Sequence, residues 1–549
     1  MIGLAGLTVP EPSWESAAPR FAWPADGWYN IAADCLRADR RGTALIVTDH
    51  AETRRVSFAE LDTSSARLAV GLASMGLRPG DRVAVKLAQS LEMAISVLAV
   101  LRAGGVVLPI SNVLGDDGIR HRLRDSTPRF LIAAGSEREA MLAAEVDAQL
   151  IATAEKAGPG RQMSDILAQA AGDATLMART AADSPALLLY TSGTTGKPKG
   201  VLHGHRVLLG HHGVNYAMDL IRADDVAYSP VDWAWAGGLM LGLLVPLAHG
   251  IPVVAYREPR FDVARTLDMM RDCGVSVGLF PPTALRMLRH SGQVTPATAG
   301  TLRLRCLVTG AEAVEPDLFG WADEQLGVSV NNAFGQTEAN ALVGHSGVLG
   351  TLDPACLGKP YPGHDVAVLD ESLGPVSAGT PGQIAVRADD PVCMLGYWNA
   401  PEATASKIRN GWLLTGDTAH VDERGQFFFH GRSDDIIKSG GYRLGPAEVE
   451  AAMMPHPSIA ECAVVGLPDP VRGHIVTAFV RLRADARPGA ELTRQLQEQV
   501  RAKVGAHAYP RAVRYVTDLP RTTTGKVDRA ALRQRAEIPA DSTEQENPA

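Results

Sequence analysis

The chain has 549 residues, of which 46% are hydrophobic and 21% are charged, and its formal net charge is −8. This composition is typical of a folded globular protein, and the length exceeds one ordinary compact core, so we expect at least two domains. The negative charge argues against a general nucleic-acid or membrane-surface binder, while a local basic pocket for phosphates stays allowed.

Six cysteines are scattered along the chain without a Cys-x-x-Cys pair. They indicate neither a zinc site nor a disulfide framework and favour a reducing, cytoplasmic setting. The first residues lack the pattern of a secretory signal. The most apolar stretch, residues 237–255, contains Pro246, His249 and Pro252, so we interpret it as a buried helix and strand rather than an integral membrane segment.

From about residue 57 to residue 290, helical segments alternate with short apolar runs, which predicts an α/β fold with parallel sheets. The helices are expected to end near glycines. The elements predicted here are helices at residues 57–75, 90–102 and 261–273, and strands at residues 82–86, 128–134 and 186–190.

The chain then becomes rich in glycine and proline with short strands, which predicts a β-rich subdomain at about residues 355–430. After it, the pattern predicts helices at residues 446–454 and 492–504 and strands at residues 459–465 and 476–482. We therefore expect a large N-terminal domain (1–433) of layered α/β subdomains plus the β-rich subdomain, a small α+β C-terminal domain (434–535), and a disordered polar tail (536–549).

A phosphate-binding loop is predicted between Tyr190 and Val201, directly after an apolar strand. Its glycines let the backbone approach a polyanion, while hydroxyls, backbone N–H groups and lysines bind the charge. It is not the common P-loop, because Pro198 follows the first lysine. The candidate phosphate ligands are Thr191, Ser192, Gly193, Thr194, Thr195, Gly196, Lys197 and Lys199.

This segment resembles the signature of the adenylate-forming superfamily, which includes acyl-CoA synthetases, peptide-synthetase adenylation domains and luciferases. Further motifs of that superfamily follow in its order, and the resemblance covers about residues 30–535, closest to medium-chain acyl-CoA synthetases. The motifs are Gly310-Ala-Glu312, Phe334-Gly-Gln-Thr-Glu338, Thr415-Gly-Asp417, Gly431-Arg-Ser-Asp-Asp435, Lys438-Ser-Gly-Gly-Tyr-Arg443 and Thr524-Gly-Lys526.

The same residues suit the chemistry that the resemblance implies. Joining a carboxylate to ATP brings anions together at the α-phosphorus, so cations and a metal must offset their repulsion. Glu338 is the candidate Mg²⁺ ligand, and Thr337 is placed to hydrogen-bond the α-phosphate. Asp417 suits the ribose hydroxyls, and Arg432 is expected to donate to ribose or phosphate from the opposite side; a structural ion pair is the alternative.

Other roles come from the resemblance alone. It implies that Phe334 stacks on adenine and that Gly310, Ala311 and Glu312 line the other side of the base. It also assigns residues of the 332–337 segment to nucleotide binding, namely Asn332, Ala333, Gly335 and Gln336 beside those already named. Lys526 is implied to bridge the substrate carboxylate and the α-phosphate, and it is one of only nine lysines against forty-four arginines.

Thioester formation requires coenzyme A to reach the acyl carbonyl. In the resembling family the C-terminal domain rotates about one residue, which matches Asp434 here, so that Gly440 and Gly441 replace Lys526 at the active centre. Tyr442 and Arg443 match residues that flank the pantetheine passage. The C-terminal domain is therefore expected to be mobile.

The acyl pocket is predicted from segments that resemble acetyl- and medium-chain acyl-CoA synthetases. Its candidate walls are Trp235, Ala236, Gly237, Gly238 and Gly335. Acetate-specific members carry tryptophan at the position of Gly335, so glycine predicts room beyond two carbons. We expect a medium-chain or aryl acid, although Trp235 or Met240 projecting inward would narrow the pocket.

The sequence thus predicts an AMP-forming acid–thiol ligase whose partners are a small carboxylic acid, ATP with Mg²⁺, and coenzyme A. An enzyme that loads a carrier-protein phosphopantetheine is the main alternative. A silent binding protein and a luciferase-type oxygenase are further alternatives that share the nucleotide motifs. Four histidines lie between residues 203 and 212, but no carboxylate or cysteine partners accompany them at ligand spacing, so no metal site is predicted there. The oligomeric state is left open.

Overall fold

The computed structural model describes residues 13–14, 28–49, 51–154, 158–169, 176–191, 198–219, 221–256, 258, 260–310, 314, 316–350, 352–432, 435, 437–439, 442–469, 473–505, 508–522 and 527–537. Its strands are arranged in two large and two small sheets with helices packed on them.

The first part of the chain alternates helices and strands. In chain order its elements are α1 (Ile31–Cys35), β1 (Thr43–Thr48), β2 (Thr53–Ser57), α2 (Phe58–Ser74), β3 (Arg82–Lys86), α3 (Leu91–Arg102), β4 (Val106–Pro109), α4 (Asp116–Ser126), β5 (Phe130–Ala133), α5 (Glu137–Ala144), β6 (Gln149–Ala152), β7 (Arg161–Gln162), α6 (Met163–Gln169), β8 (Pro185–Thr191), β9 (Lys199–Gly204) and α7 (Val207–Ala217).

The next part continues this alternation. Its elements are β10 (Ala227–Tyr228), α8 (Ala236–Leu239), a π-helix (Met240–Leu244), α9 (Val245–Ala248), β11 (Val253–Ala255), α10 (Val263–Cys273), β12 (Val277–Leu279), α11 (Pro282–His290), α12 (Pro296–Ala299), β13 (Cys306–Gly310), α13 (Pro316–Leu326), β14 (Ser329–Gln336), β15 (Ala339–Gly344) and β16 (Lys359–Pro360).

The last part is richer in antiparallel strands. Its elements are β17 (Val366–Leu369), β18 (Gly382–Arg387), β19 (Gly396–Tyr397), α14 (Pro401–Lys407), β20 (Ile408–Arg409), β21 (Trp412–Val421), β22 (Phe427–Arg432), β23 (Ile437–Ser439), β24 (Tyr442–Leu444), α15 (Pro446–Met453), β25 (Ile459–Asp469), β26 (Gly473–Leu482), α16 (Ala490–Lys503), β27 (Ala512–Tyr515) and α17 (Arg529–Glu537).

The two large sheets are mainly parallel. One has eight strands in the order β19-β9-β8-β4-β3-β5-β6-β7, and the other has nine in the order β16-β15-β14-β13-β12-β10-β11-β1-β2. Their central strands pair in parallel, whereas antiparallel pairings occur toward the edges, where β9 and β19 extend one sheet and β15, β16 and β2 extend the other. Central strands such as β4 and β5 are buried throughout, as expected where helices cover both faces of a parallel sheet.

The two small sheets follow in the chain. Strands β17, β18, β20, β21 and β22 form a sheet at residues 366–432, and β23 to β27 form the C-terminal sheet. The structure therefore confirms the α/β class, with a large N-terminal domain of several sheets and a small C-terminal domain.

Helix ends agree with the sequence signals. Ser57 and Ser90 cap α2 and α3 by accepting from the backbone N–H three residues on. Helix α10 begins two residues later than predicted, because Asp262 is its N-cap, and it ends at Gly274 in the left-handed conformation (φ 70°). The predicted strands at residues 82–86, 128–134 and 186–190 are present as β3, β5 and β8, with shifted ends for the latter two.

The C-terminal elements differ from prediction in length. Strand β25 extends to Asp469 rather than residue 465, because its ladder with β26 continues to the pair Asp469–Gly473. Helix α17 ends at Glu537, two residues inside the segment predicted as a disordered tail. Residues 538–549 lie outside the described residues.

The apolar stretch 237–255 forms helical turns followed by β11, as predicted. Across the described part of the chain, no helix combines the length and apolar character that crossing a bilayer requires. Each of the six cysteines, all within described ranges, is a buried free thiol.

Candidate active site

The predicted phosphate loop connects β8 and β9, whose ladder closes at the pair Thr191–Lys199. Both strands lie toward one edge of the eight-stranded sheet, beside β19. Ser192, Gly193, Thr194, Thr195, Gly196 and Lys197 lie outside the described residues, so only Thr191 and Lys199 at the two ends of the loop are placed.

The 332–338 segment lies at the other large sheet. Strand β14 carries Asn332 to Gln336 and turns into the antiparallel strand β15. Gly310, at the end of β13, faces Ala333, and a Cβ on Gly310 would lie 2.2 Å from the Ala333 carbonyl oxygen. Glycine at this position thus permits the close approach of the two strands. Ala311 and Glu312 lie outside the described residues.

Backbone hydrogen bonds fix Thr337 and Glu338. His203 on β9 donates from Nε2 to the Thr337 carbonyl (2.7 Å), and Asn340 donates to the same oxygen (3.2 Å). The Glu338 carbonyl accepts from the Met394 N–H (2.9 Å). Strand β9, which follows the phosphate loop, is therefore linked directly to the predicted catalytic pair.

The Glu338 carboxylate has a specific donor. The Tyr397 hydroxyl donates to Glu338 Oε1 at 2.6 Å, and Lys199 Nζ lies 5.4 Å from the centroid of the Tyr397 ring. Burial and the neighbouring Glu338 carboxylate raise the pKa of Tyr397 above its usual value, which keeps the phenol protonated as a donor. Glu338, Tyr397 and Lys199 thus form one connected group.

Asp417 and Arg432 are direct neighbours in the structure. They pair across β21 and β22, with Arg432 Nη1 3.5 Å from Asp417 Oδ1. Gln336 donates to the other Asp417 oxygen, Oδ2, at 3.1 Å. Residues directly opposite on antiparallel strands lie side by side, so the two side chains form an ion pair here. Their binding of ribose and phosphate stays a prediction. Gln336 also connects this pair to the 334–338 motif.

Phe334 packs against the interior of the protein. It is half-buried, contacts the core beneath β17 to β22, and lies 6.3 Å from the Phe429 ring at a tilt of 48°. Its stacking on adenine stays a prediction.

The candidate acyl-pocket residues lie at a short helical segment. Trp235 is the N-cap of α8, which contains Ala236, Gly237 and Gly238, and a π-helix follows. A Cβ on Gly238 would lie 2.3 Å from the Asp232 carbonyl oxygen, whereas one on Gly237 would lie 3.5 Å from Leu279 Cδ2. Gly238 is thus required by backbone packing, and Gly237 borders β12. Met240 is fully buried in the core.

Gly335 also has a structural requirement. A Cβ on it would lie 2.3 Å from the backbone nitrogen of Ala341, where β14 and β15 shift register. A side chain at position 335 would therefore begin by pointing toward β15.

Several predicted residues are not placed. Asp434, Gly440, Gly441 and Lys526 lie outside the described residues. The backbone of Tyr442 and Arg443 forms β24, but their side chains are not described.

The four histidines near β9 are buried and neutral. Burial lowers the pKa values of His203, His205 and His211 to about 4 and that of His212 to about 3. Within the described ranges, no group of three or more His, Cys, Asp or Glu residues is arranged to hold a metal ion.

Glu338 nevertheless fits Mg²⁺ that is bound together with a nucleotide. Mg²⁺ retains several waters and needs only one or two carboxylates beside substrate phosphates. The half-buried Glu338 carboxylate, whose Oε1 is fixed by Tyr397, offers such an oxygen ligand. The donor set therefore suits a metal held jointly by the protein and ATP.

Sequence reasoning missed Tyr397 and the positional role of His203. Tyr397 is 59 residues from Glu338, so no local pattern connects them. His203 lies four residues after Lys199 on the same strand, and its side chain is fully buried. A histidine on a strand that follows the phosphate loop was the sequence feature that could have indicated this contact.

Comparisons with known proteins agree with the resemblance. A family model for AMP-binding enzymes matches residues 36–398, and the model for their C-terminal domain matches residues 448–526. Mitochondrial acyl-coenzyme A synthetase ACSM3 of Mus musculus is 32% identical, covering 95% of this chain and 93% of its own length. The uncharacterized acyl-CoA ligase YtcI of Bacillus subtilis (strain 168) is 31% identical, covering 93% and 96%.

A solved structure shows the same fold. ATP-bound MatB from Rhodopseudomonas palustris aligns with a TM-score of 0.82 at 29% identity, covering 93% of this chain and 99% of that chain. The two family models together match most of the chain, at residues 36–398 and 448–526. The chain therefore belongs to the AMP-binding enzyme family, as an AMP-forming acyl-coenzyme A synthetase.

Proposed function

We propose that this synthetase activates a medium-chain or aryl carboxylic acid. The observation that carries the assignment of its catalytic centre is the connected group of Lys199, Tyr397 and Glu338, which joins the end of the phosphate loop to the predicted metal ligand. A cation and a carboxylate in one connected group support the proposal that the ATP phosphates and Mg²⁺ bind here.

The reaction has two steps. A carboxylate oxygen attacks the α-phosphorus of ATP, the bond to the β-phosphate breaks, and pyrophosphate leaves. The thiol of coenzyme A then loses its proton and attacks the acyl carbonyl, and the C–O bond to AMP breaks to give the thioester. Both steps develop negative charge on oxygen, which positive groups held in place stabilise.

The catalytic residues we propose are Lys526, Thr337 and Glu338. Lys526 bridges the carboxylate and the α-phosphate, and Thr337 hydrogen-bonds the α-phosphate. Glu338 holds Mg²⁺, which when bound neutralises phosphate charge. Support for Thr337 and Glu338 comes from the bonds of His203, Asn340 and Met394 that fix their backbone.

Asp417 and Arg432 are proposed to bind the nucleotide from one side, as an adjacent pair. Gln336 donates a hydrogen bond to the carboxylate of Asp417. This bond fixes the position of the proposed ribose-binding residue relative to the 334–338 motif. Phe334 and Gly310 to Glu312 are proposed to flank the base.

We divide the chain into residues 1–433 and 434–535, with Asp434 as the hinge. In the second step, rotation of the C-terminal domain brings Gly440 and Gly441 to the place of Lys526 and opens a passage for pantetheine beside Tyr442 and Arg443. Small residues suit this passage because the cofactor arm must pass close to the backbone.

The acid preference rests on Ala236 and Gly237. A Cβ on Gly237 would lie 3.5 Å from Leu279 Cδ2, so Gly237 lies beside Leu279 of β12. We propose that the acyl chain or ring passes beside Ala236 and Gly237, because these residues have little or no side chain that would exclude it. A carrier-protein phosphopantetheine is the alternative acceptor.

We place the enzyme in the cytoplasm, where free thiols persist, because its six cysteines are buried and unbridged.

The test is pyrophosphate release with ATP, Mg²⁺ and acids from acetate through octanoate to benzoate, with and without coenzyme A. We expect release with octanoate or benzoate to exceed that with acetate and to turn over only with coenzyme A. Preference for acetate would overturn the acid class. Turnover that requires a phosphopantetheinylated carrier protein would establish the alternative acceptor.

A further inference from the structure

The segment from Val392 to Trp398, which we call the connecting segment, joins the two large sheets near the candidate catalytic centre. It first follows residues 338–340: Asn340 N–H donates to the Val392 carbonyl (3.4 Å), and Met394 N–H donates to the Glu338 carbonyl (2.9 Å). Ala339 and Cys393 form a further antiparallel bridge. The connecting segment therefore fixes the backbone from Glu338 to Asn340.

The same segment then follows β9. Leu395 N–H donates to the Leu202 carbonyl and Trp398 N–H donates to the Gly200 carbonyl, each at 2.7 Å. Between these bonds, β19 pairs with β9 through Tyr397 and Val201. Tyr397 is thus held next to the strand that begins with Lys199.

The Tyr397 side chain makes contact in both directions. Its hydroxyl donates to Glu338 Oε1 at 2.6 Å, and its ring faces Lys199 Nζ at 5.4 Å. A glutamate side chain has several rotatable bonds, and ordering it costs conformational entropy. A fixed hydrogen-bond donor orders the carboxylate before the metal binds, so metal binding has to order it less. A lysine above an aromatic ring is attracted to the face of the ring.

We propose that Tyr397 is a positioning residue that orients the Glu338 carboxylate for the Mg²⁺ of bound MgATP. The proposal rests on the metal-binding role proposed for Glu338. Donors behind metal ligands typically change metal affinity or activity by about 10–100-fold when removed. Tyr397 acts through Glu338 and is not assigned any contact with substrate.

The test is ATP binding measured by calorimetry without acid or coenzyme A, so that no turnover occurs. Each protein is titrated with ATP in excess Mg²⁺ and again with EDTA. For Tyr397→Phe, which keeps the ring beneath Lys199, we expect the Kd for MgATP to rise about 10-fold while the Kd for metal-free ATP changes less than about two-fold.

Two further variants distinguish a role of Tyr397 through Glu338 from a general effect of removing a tyrosine hydroxyl. Glu338→Gln should lose the Mg²⁺-dependent gain in affinity, and adding Tyr397→Phe to it should change the Kd by less than about two-fold, because both act on one contact. Tyr29→Phe is the matched control, since Tyr29 also donates to a carboxylate, that of Asp34 at 2.8 Å. It should bind MgATP as the unmodified protein does.

The outcomes are distinct. If Glu338→Gln retains the full Mg²⁺ effect, the role proposed for Glu338 fails, and the inference fails with it. If Glu338→Gln loses the effect but Tyr397→Phe retains it, only the inference fails. An equal loss of ATP affinity with and without Mg²⁺ in Tyr397→Phe would show a structural role and would also overturn the inference. Thermal unfolding of each variant verifies that it is folded.

Discussion

Gly335 on β14 lies against the backbone of Ala341 on β15, where a Cβ on Gly335 would come within 2.3 Å of the Ala341 nitrogen. The ladder shifts register here, and Ala341 has a φ of 39°, in the left-handed region that side chains rarely adopt. The absence of a side chain at Gly335 is therefore required by the hairpin itself.

The first prediction concerns this contact. Gly335→Ala should lower the free energy of unfolding by about 1–3 kcal/mol, because the added methyl must displace backbone. Adenylation should fall with every acid rather than shift toward short acids. Denaturant unfolding and pyrophosphate release measure the two effects. Gly320→Ala is the control, since Gly320 lies in helix α13 with no atom near its Cβ position, and it should be neutral or stabilising. Full stability of Gly335→Ala would contradict the packing argument.

The second prediction concerns the nucleotide pair. Asp417→Asn should raise the KM for ATP about 10-fold or more, because it removes a charged acceptor that Gln336 and Arg432 hold in place. Steady-state kinetics at saturating acid measure this change. Asp422→Asn makes the same charge change in the turn that follows β21, where Asp422 accepts from the Arg424 and Gln426 N–H groups. Equal effects of the two substitutions would argue against a ribose-binding role.

The third prediction concerns acyl-chain length. Gly237→Val should reduce activity with octanoate and benzoate more than with acetate, because its methyl groups would extend toward Leu279 Cδ2, 3.5 Å from the Cβ position. Adding Leu279→Ala should restore part of the activity with longer acids. The ratio of kcat/KM values across the acid panel is the measurement. A uniform loss that Leu279→Ala does not relieve would remove Gly237 from the pocket.

The fourth prediction separates the half-reactions. Lys526→Ala should abolish acyl-adenylate formation and spare thioester formation from preformed acyl-AMP, because the bridging ammonium is needed only while carboxylate and phosphate approach. Lys503→Ala, which removes an exposed lysine of helix α16, should leave both steps intact. Each half-reaction is followed by its own product, pyrophosphate or acyl-CoA. Equal loss of both would refute the assignment.

The fifth prediction concerns acid stability. The folded-state pKa of His205 is lowered to about 4 by burial, so between pH 6.5 and pH 4 the unfolded chain binds a proton that the folded chain does not. Its contribution is therefore complete above pH 6.5 and is lost as the pH falls through this window, at about 1.4 kcal/mol per pH unit. His205→Asn, which retains an acceptor for the Ile31 N–H, should flatten the pH dependence of unfolding by about that slope.

His290→Asn provides the comparison for this experiment, since His290 is exposed at the end of helix α11. The substitution at the buried position should change the pH dependence of unfolding more than the substitution at this exposed position does. An unchanged slope in His205→Asn would show that His205 does not contribute to acid instability.

Much of the fold could be predicted because local signals and tertiary packing agree. Helices α2 and α3 begin at serine caps and end near glycines, so the residues next to each helix indicate where it begins and ends. Strand β25 was predicted too short because its last residues are ordered by a ladder with β26 rather than by their own propensity. The position of Arg432 beside Asp417 likewise depends on strand register, which separate motifs do not specify.

The sequence by itself determined the family, the two-step chemistry and the candidate residues, because the motifs combine glycines, hydroxyls, lysines and a carboxylate in a fixed order. Only the tertiary structure decided which groups support one another. Tyr397 reaches Glu338 across 59 residues, and His203 reaches the Thr337 carbonyl across 134. Such contacts arise where strands from different parts of the chain meet, and their geometry depends on the pairing of whole sheets rather than on any local run of residues.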